Sequence, residues 1–135
     1  MKLLLTSGGI TNPSISRALV GMLGRPIAES SALCIPTAQW GHPGDEPVSA
    51  PDLLHGRSWG GTTSLGWKSL GVLELTALPT IGAEHWVPWV READVLLVAG
   101  GEATYRATGC GSRAWPTSSR RWSTPSGWVS VRAAW

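Results

Sequence analysis

Residues 93–105 read Ala-Asp-Val-Leu-Leu-Val-Ala-Gly-Gly-Glu-Ala-Thr-Tyr, and no other stretch constrains the fold as much. The apolar run Val95–Val98 predicts a buried strand. It stops at Gly100 and Gly101, and the residues that follow are able to open a helix. A strand that ends in glycines ahead of a helix brings bare backbone N–H groups to the mouth of an α/β sheet, where such sheets bind ligands.

The preceding residues carry the same punctuation. Residues 2–6 predict a first strand, short and apolar with no alternation, as expected of a strand buried on both faces. Ser7-Gly8-Gly9 is its turn. Asn12 is an N-cap and Pro13 suits the first helical position. Ile15, Ala18, Leu19, Met22 and Leu23 fall on one helical face, and Gly24 with Pro26 stops the helix. Residues 32–35 predict a second strand, ended by Pro36. This β-α-β unit implies a parallel pair with a right-handed crossover. Residues 37–63, rich in Gly, Pro, Asp and Ser, read as a long loop with one helical turn near Leu53 and Leu54. Residues 64–69 read as a short helix and 72–75 as a third strand. Residues 86–92 form a short helix with Pro88 near its first turn, and 94–98 form the fourth strand. The order predicts an α/β fold, a parallel sheet of about four strands with flanking helices in Rossmann-like layers.

A chain of 135 residues holds one domain with a modest core. No apolar run approaches membrane-spanning length, and the leucines of residues 2–5 are too few for a signal-peptide core. The expectation is a cytoplasmic protein with no membrane partner. Cys34 lies in an apolar run and reads as a reduced, buried thiol rather than a partner for Cys110. His42, His55 and His85 show no ligand spacing with each other or with cysteine, so neither a metal nor a cofactor is called for.

The net charge of +2 hides an asymmetry. Residues 106–135 hold five arginines and no acid, which leaves six basic residues against nine acids in the rest, a net −3. The same segment has four tryptophans, no Leu, Ile or Lys, and no helical or strand period. The chain therefore divides into a body, 1–105, and an atypical Arg/Trp/Ser-rich tail, 106–135, which is not expected to be native-like.

Within the body, Met-Lys-Leu-Leu-Leu-Thr-Ser-Gly-Gly at 1–9, Ile-Pro-Thr-Ala at 35–38, Gly-Trp-Lys-Ser-Leu-Gly-Val-Leu-Glu-Leu at 66–75 and the 94–105 stretch together resemble the peptidase E family. These are serine peptidases related to aspartyl dipeptidase and cyanophycinase, with a fold similar to class I glutamine amidotransferases. The resemblance implies a hydrolase that cuts short peptides, those with an acidic N-terminal residue among them, through a serine nucleophile. The nucleophile would sit on a Gly-x-Ser-x-Gly turn one β-α unit beyond the Gly-Gly strand. It further implies that a backbone N–H of Gly100 or Gly101 helps to bind the oxyanion, with Gly8, Gly9 and Glu102 lining the site. Family members often carry Asp or Asn at Glu102, and an acidic residue at Ala99.

After Tyr105 the family pattern stops. No Gly-x-Ser-x-Gly occurs beyond this point, and no histidine follows His85. The catalytic serine and histidine are absent, so the expected protein is an inactive family member. A shifted reading frame accounts for the tail, since misreading a GC-rich gene yields Arg, Ala, Gly, Pro, Ser and Trp. Joining the third base of each codon to the next two makes Trp128 and Val129 spell GGT, a glycine codon. The following codons permit Val-Ser-Ala-Gly, which completes a nucleophile elbow in the hidden frame. The expectation is a frameshifted, truncated chain whose bared sheet edge favours self-association.

Plainer readings stand beside these. Gly8 and Gly9 serve as a β-α turn, and Thr6 and Ser7 have turn roles because no histidine pairs with them. His42 is a solvated loop residue, and Trp86 and Trp89, three apart, pack against the sheet. Two other functions remain open. One is a small α/β protein that binds a ligand near Gly8, Gly9, Gly100 and Gly101 without catalysis. The other, less favoured because the tail has no fold signature, is nucleic-acid binding through its arginines and tryptophans.

Overall fold

The computed structural model describes residues 2–40, 49–57, 59–101 and 128–131, with only the backbone described at 49–50, 59–60 and 128–131. Glu102, His42 and Cys110 lie outside the described residues. The elements in chain order are β1 (Lys2–Leu5), α1 (Pro13–Leu23), β2 (Ser31–Ile35), α2 (Thr37–Trp40), α3 (Ser49–Leu54), β3 (Ser69–Val72), α4 (Ala83–Glu92), β4 (Val95–Val98) and β5 (Trp128–Val131). Three-ten turns at Ile27–Glu29, Trp59–Ser64 and Leu75–Thr80 fill the connections.

The strands form one sheet in the order β1-β5-β4-β2-β3. β2 pairs in parallel with both β3 and β4, and this three-stranded parallel core with its helices gives the chain its α/β character. β5 lies antiparallel between β4 and β1, with Trp128 opposite both Val98 and Leu5. Three expectations change here. Among the described residues the sheet has five strands and is mixed, because part of the 106–135 segment supplies one. β1 runs in the same direction as β2 but is not its neighbour, since β5 and β4 separate them. β3 begins three residues earlier than its apolar pattern suggests, because Leu73 and Leu75 reach the core after the strand has ended.

Each face of the sheet carries its own core. Leu19, Leu23, Ala32, Cys34, Leu53, Val95 and Leu97 pack on the side of α1 and α3. Leu33, Ile35, Leu73, Leu78, Trp86, Leu96 and Val98 pack on the side of α4. Because successive strand residues point to opposite faces, β4 serves both cores and is buried throughout. β1 was expected to be buried on both faces and is not. Leu4 packs into the first core, but Leu3 and Leu5 remain 41% and 53% exposed at the sheet's edge.

α1 forms as its sequence requires. Asn12 Oδ1 accepts from the Ile15 N–H at 3.0 Å, Pro13 opens the helix, and Gly24 closes it in the left-handed region at φ 71°. Leu19 and Leu23 are buried as expected, whereas Ala18 of the same stripe faces solvent.

α4 begins at Ala83 and carries Pro88 in its interior, so it is longer than its sequence suggests. Trp86 is fully buried, but Trp89 is exposed. The expected loop over 37–63 instead contains α2, α3 and a three-ten turn. Buried hydroxyls hold it: Thr63 donates to the Leu53 carbonyl, and Thr62 Oγ1 accepts from the Ile10 N–H at 3.0 Å.

Candidate functional site: the carboxyl edge of the sheet

β1, β2, β3 and β4 all point the same way, so their carboxyl ends share one edge. That edge gathers Thr6 to Gly9 after β1, Pro36 and α2 after β2, Glu74 after β3, and Gly100 and Gly101 after β4. The two glycine pairs that the sequence marks as site-lining therefore lie on the same edge. β5 stands between their strands, so they are separated by two strand spacings, about 10 Å.

The loop after β4 is fixed from the side of α2. Gln39 Nε2 donates to the Gly100 carbonyl at 2.7 Å. Gly101 has a φ of 137°, a backbone region that L side chains rarely adopt. Its Cα faces the Ala38 carbonyl and the Gln39 amide so closely that a Cβ would collide with both. Glycine is thus required at 101 by conformation and by space.

α2 in turn is tied to the end of β3 through Glu74. Glu74 Oε1 accepts from the Thr37 hydroxyl at 2.6 Å and from Thr76 N–H and Oγ1. Glu74 Oε2 accepts from Trp40 Nε1 at 3.0 Å. Thr37 Oγ1 also accepts from the Leu75 N–H at 2.9 Å. Four donors on one carboxylate make Glu74 a clasp between two strand ends. Its role was not legible in the sequence, because nothing local to Glu74 reveals that Thr37 and Trp40 lie beside it. Trp40 presents the rest of its ring to solvent, 48% exposed.

At the end of β1, Gly8 and Gly9 both have positive φ, 86° and 92°. Gly9 is buried and Gly8 exposed. The turn role expected of Thr6 and Ser7 matches their position, and Thr6 is buried with its Oγ1 lacking a hydrogen-bond partner among the described residues.

No hydroxyl–imidazole pair occurs at this edge among the described residues. His55 Nδ1 contacts the Pro51 carbonyl at 2.7 Å, and His85 lies on α4 with Nε2 3.6 Å from Glu84 Oε1. Cys34 is a free thiol in the first core, and its pKa is pushed up to about 12 by desolvation, so it is no nucleophile. Among the described residues, no cluster of His, Cys, Asp or Glu is suited to a metal ion. No described helix is long and apolar enough to cross a membrane.

The opposite edge is held by a different set of contacts. Asp94 Oδ2 accepts from the Ser31 N–H at 2.9 Å, while Asp94 Oδ1 lies 3.4 Å from Arg25. An open cleft of about 400 Å³ lies beside the β3 edge, lined by Ser31, Ser69, Gly71, Trp89 and Glu92 among others. It is remote from the glycine pairs, and no histidine or cysteine lines it.

Comparison of the chain with protein-family models, with curated proteins and with solved structures finds no match in any of the three.

Proposed function

We propose that the carboxyl edge of this sheet is the ligand-facing edge of a cytoplasmic peptidase E-like domain with the class I glutamine amidotransferase-like fold. We propose too that it binds short peptides without hydrolysing them. One observation supports this reading above the rest. Gly100 and Gly101 end a strand buried in the middle of the sheet, and Gly101 holds a backbone conformation that costs about 1–3 kcal/mol for most residues. A conformation open to glycine and closed to most residues, at the edge where α/β sheets bind ligands, suits a backbone N–H held ready for an oxygen.

In the family that the sequence resembles, a serine attacks the peptide carbonyl. The oxyanion formed is stabilised by backbone donors, and an acyl-enzyme is released by water. These 135 residues supply the donors, but the one Gly-x-Ser-x-Gly, at residues 56–60, precedes the Gly-Gly strand, and neither an elbow of that kind nor a histidine follows that strand. The edge therefore retains recognition and lacks the nucleophile.

The test uses the purified chain with an Asp-containing dipeptide and with a serine-directed fluorophosphonate. Saturable perturbation of the glycine amides at 8, 9, 100 and 101 is expected, with no hydrolysis and no covalent label. Absence of any dipeptide binding overturns the peptide reading, and labelling of a serine overturns the claim of inactivity.

A further inference from the structure

The direction of the peptide between Gly100 and Gly101 can be read from its contacts. In a trans peptide the carbonyl and the following N–H point in opposite directions. Gln39 draws the Gly100 carbonyl toward α2, so the Gly101 N–H is turned away from α2. That N–H meets no acceptor among the described residues. The close approach of Gly101 to the Ala38–Gln39 backbone holds the same peptide from its other end. α2 has only four residues and cannot fix its own orientation, but Thr37 and Trp40 anchor it to Glu74 on either side of Gln39.

We infer that Gln39 is a positioning residue that sets the Gly100–Gly101 peptide, so that the Gly101 N–H is the donor offered to a carboxylate or oxyanion oxygen. Glu74 is the anchor that keeps Gln39 in place. The inference rests on the reading of the carboxyl edge as the ligand edge. It goes further in choosing one atom of the glycine pair and naming the side chain that aims it. Gln39 touches neither ligand nor reacting atom in this arrangement and acts through the peptide it holds.

Glycine labelling isolates the relevant signal. The sequence contains three Gly-Gly peptides, Gly8-Gly9, Gly60-Gly61 and Gly100-Gly101. Glycine carrying carbon-13 at the carbonyl and nitrogen-15 at the amide therefore gives a carbonyl–amide correlation spectrum with three peaks. The probe is sodium acetate, titrated into the full chain at constant ionic strength.

In the wild type, acetate is expected to shift the Gly100-Gly101 peak. Gln39→Met keeps the side chain's volume and removes the donor, and Gln39→Glu keeps its length and removes the donor at neutral pH. Both are expected to move the Gly100 carbonyl upfield and abolish the acetate shift, while leaving the other two peaks in place. Those two peaks also report that the variants are folded. Failure of the wild-type peak to respond to acetate overturns the donor role. A Gly100-Gly101 peak that keeps its position and its acetate response in both variants overturns the positioning role. Loss of dipeptide binding with these acetate results intact refutes the peptide reading and leaves the role of Gln39 standing.

Discussion

Gln39 and Gly100 are 61 residues apart in sequence and joined by a 2.7 Å hydrogen bond from the Gln39 amide to the Gly100 carbonyl. The bond couples the end of β2 to the end of β4, two neighbouring strands of the parallel core. It also brings α2 close enough to Gly101 that no side chain fits there.

Gly101→Ala should therefore destabilise the fold more than Gly8→Ala. At Gly8 a new Cβ meets nothing within 4 Å, so only the positive φ opposes it, at about 1–2 kcal/mol. At Gly101 the rarer φ costs about 1–3 kcal/mol before the collision with Ala38 and Gln39 is added. Urea unfolding of the two variants measures the difference, and equal midpoints would contradict the close approach.

Thr37→Val should cost about 1–3 kcal/mol, because it leaves the buried Leu75 N–H without its acceptor. Thr37→Ser retains the hydroxyl and should lose less. If the two variants unfold at the same urea concentration, the hydroxyl does not carry the link between β2 and β3.

Asn12→Ala should cost about 1 kcal/mol by removing the N-cap of α1, whereas Asn12→Asp keeps an acceptor for the Ile15 N–H. Thermal unfolding followed by circular dichroism separates the two. A loss in the aspartate variant as large as that in the alanine variant would rule out capping as the cause.

Cys34 should resist thiol reagents at pH 8 in the folded chain and react once the chain is unfolded, read in a Cys110→Ser background. Burial raises the Cys34 pKa from 9.0 to about 12. Below pH 9 both folded and unfolded states hold the proton, and the group imposes no pH dependence. As pH rises from 9 toward 12 the unfolded thiol ionises first, so stability falls across that window. Cys34→Ala should lower overall stability but flatten that alkaline fall. An unchanged slope in the variant would show that other groups cause it.

Leu5→Lys should reduce self-association measured by sedimentation velocity. Leu3 and Leu5 expose apolar surface on the edge strand β1, and a lysine at an edge opposes strand-to-strand pairing. Concentration-dependent association of equal strength in wild type and variant would exclude this edge as the contact.

Parts of this architecture were legible because they are written locally. Asn12, Pro13 and Gly24 delimit α1 through bonds to their own neighbours, and the run Val95–Val98 announces a strand buried on both faces. β3 was misplaced because hydrophobicity reports burial rather than hydrogen bonding. Leu73 and Leu75 are buried, yet they follow the strand, while Ser69 and Leu70 pair with β2 from exposed positions. β5 was missed because four residues within an Arg- and Trp-rich segment carry no period, and their place is set by the gap between β1 and β4.

By itself the sequence determined an α/β chain with glycine pairs at two strand ends. It also carried the absence of a Gly-x-Ser-x-Gly after the second pair. Only the tertiary structure decided which glycine N–H is turned outward. That depends on Gln39 and Glu74, which are distant in sequence from Gly100, and no local pattern encodes a hydrogen bond made across three strand ends. The physical reason is that backbone propensity acts over a few residues, whereas the orientation of a single peptide is fixed by whichever side chains the completed sheet places around it.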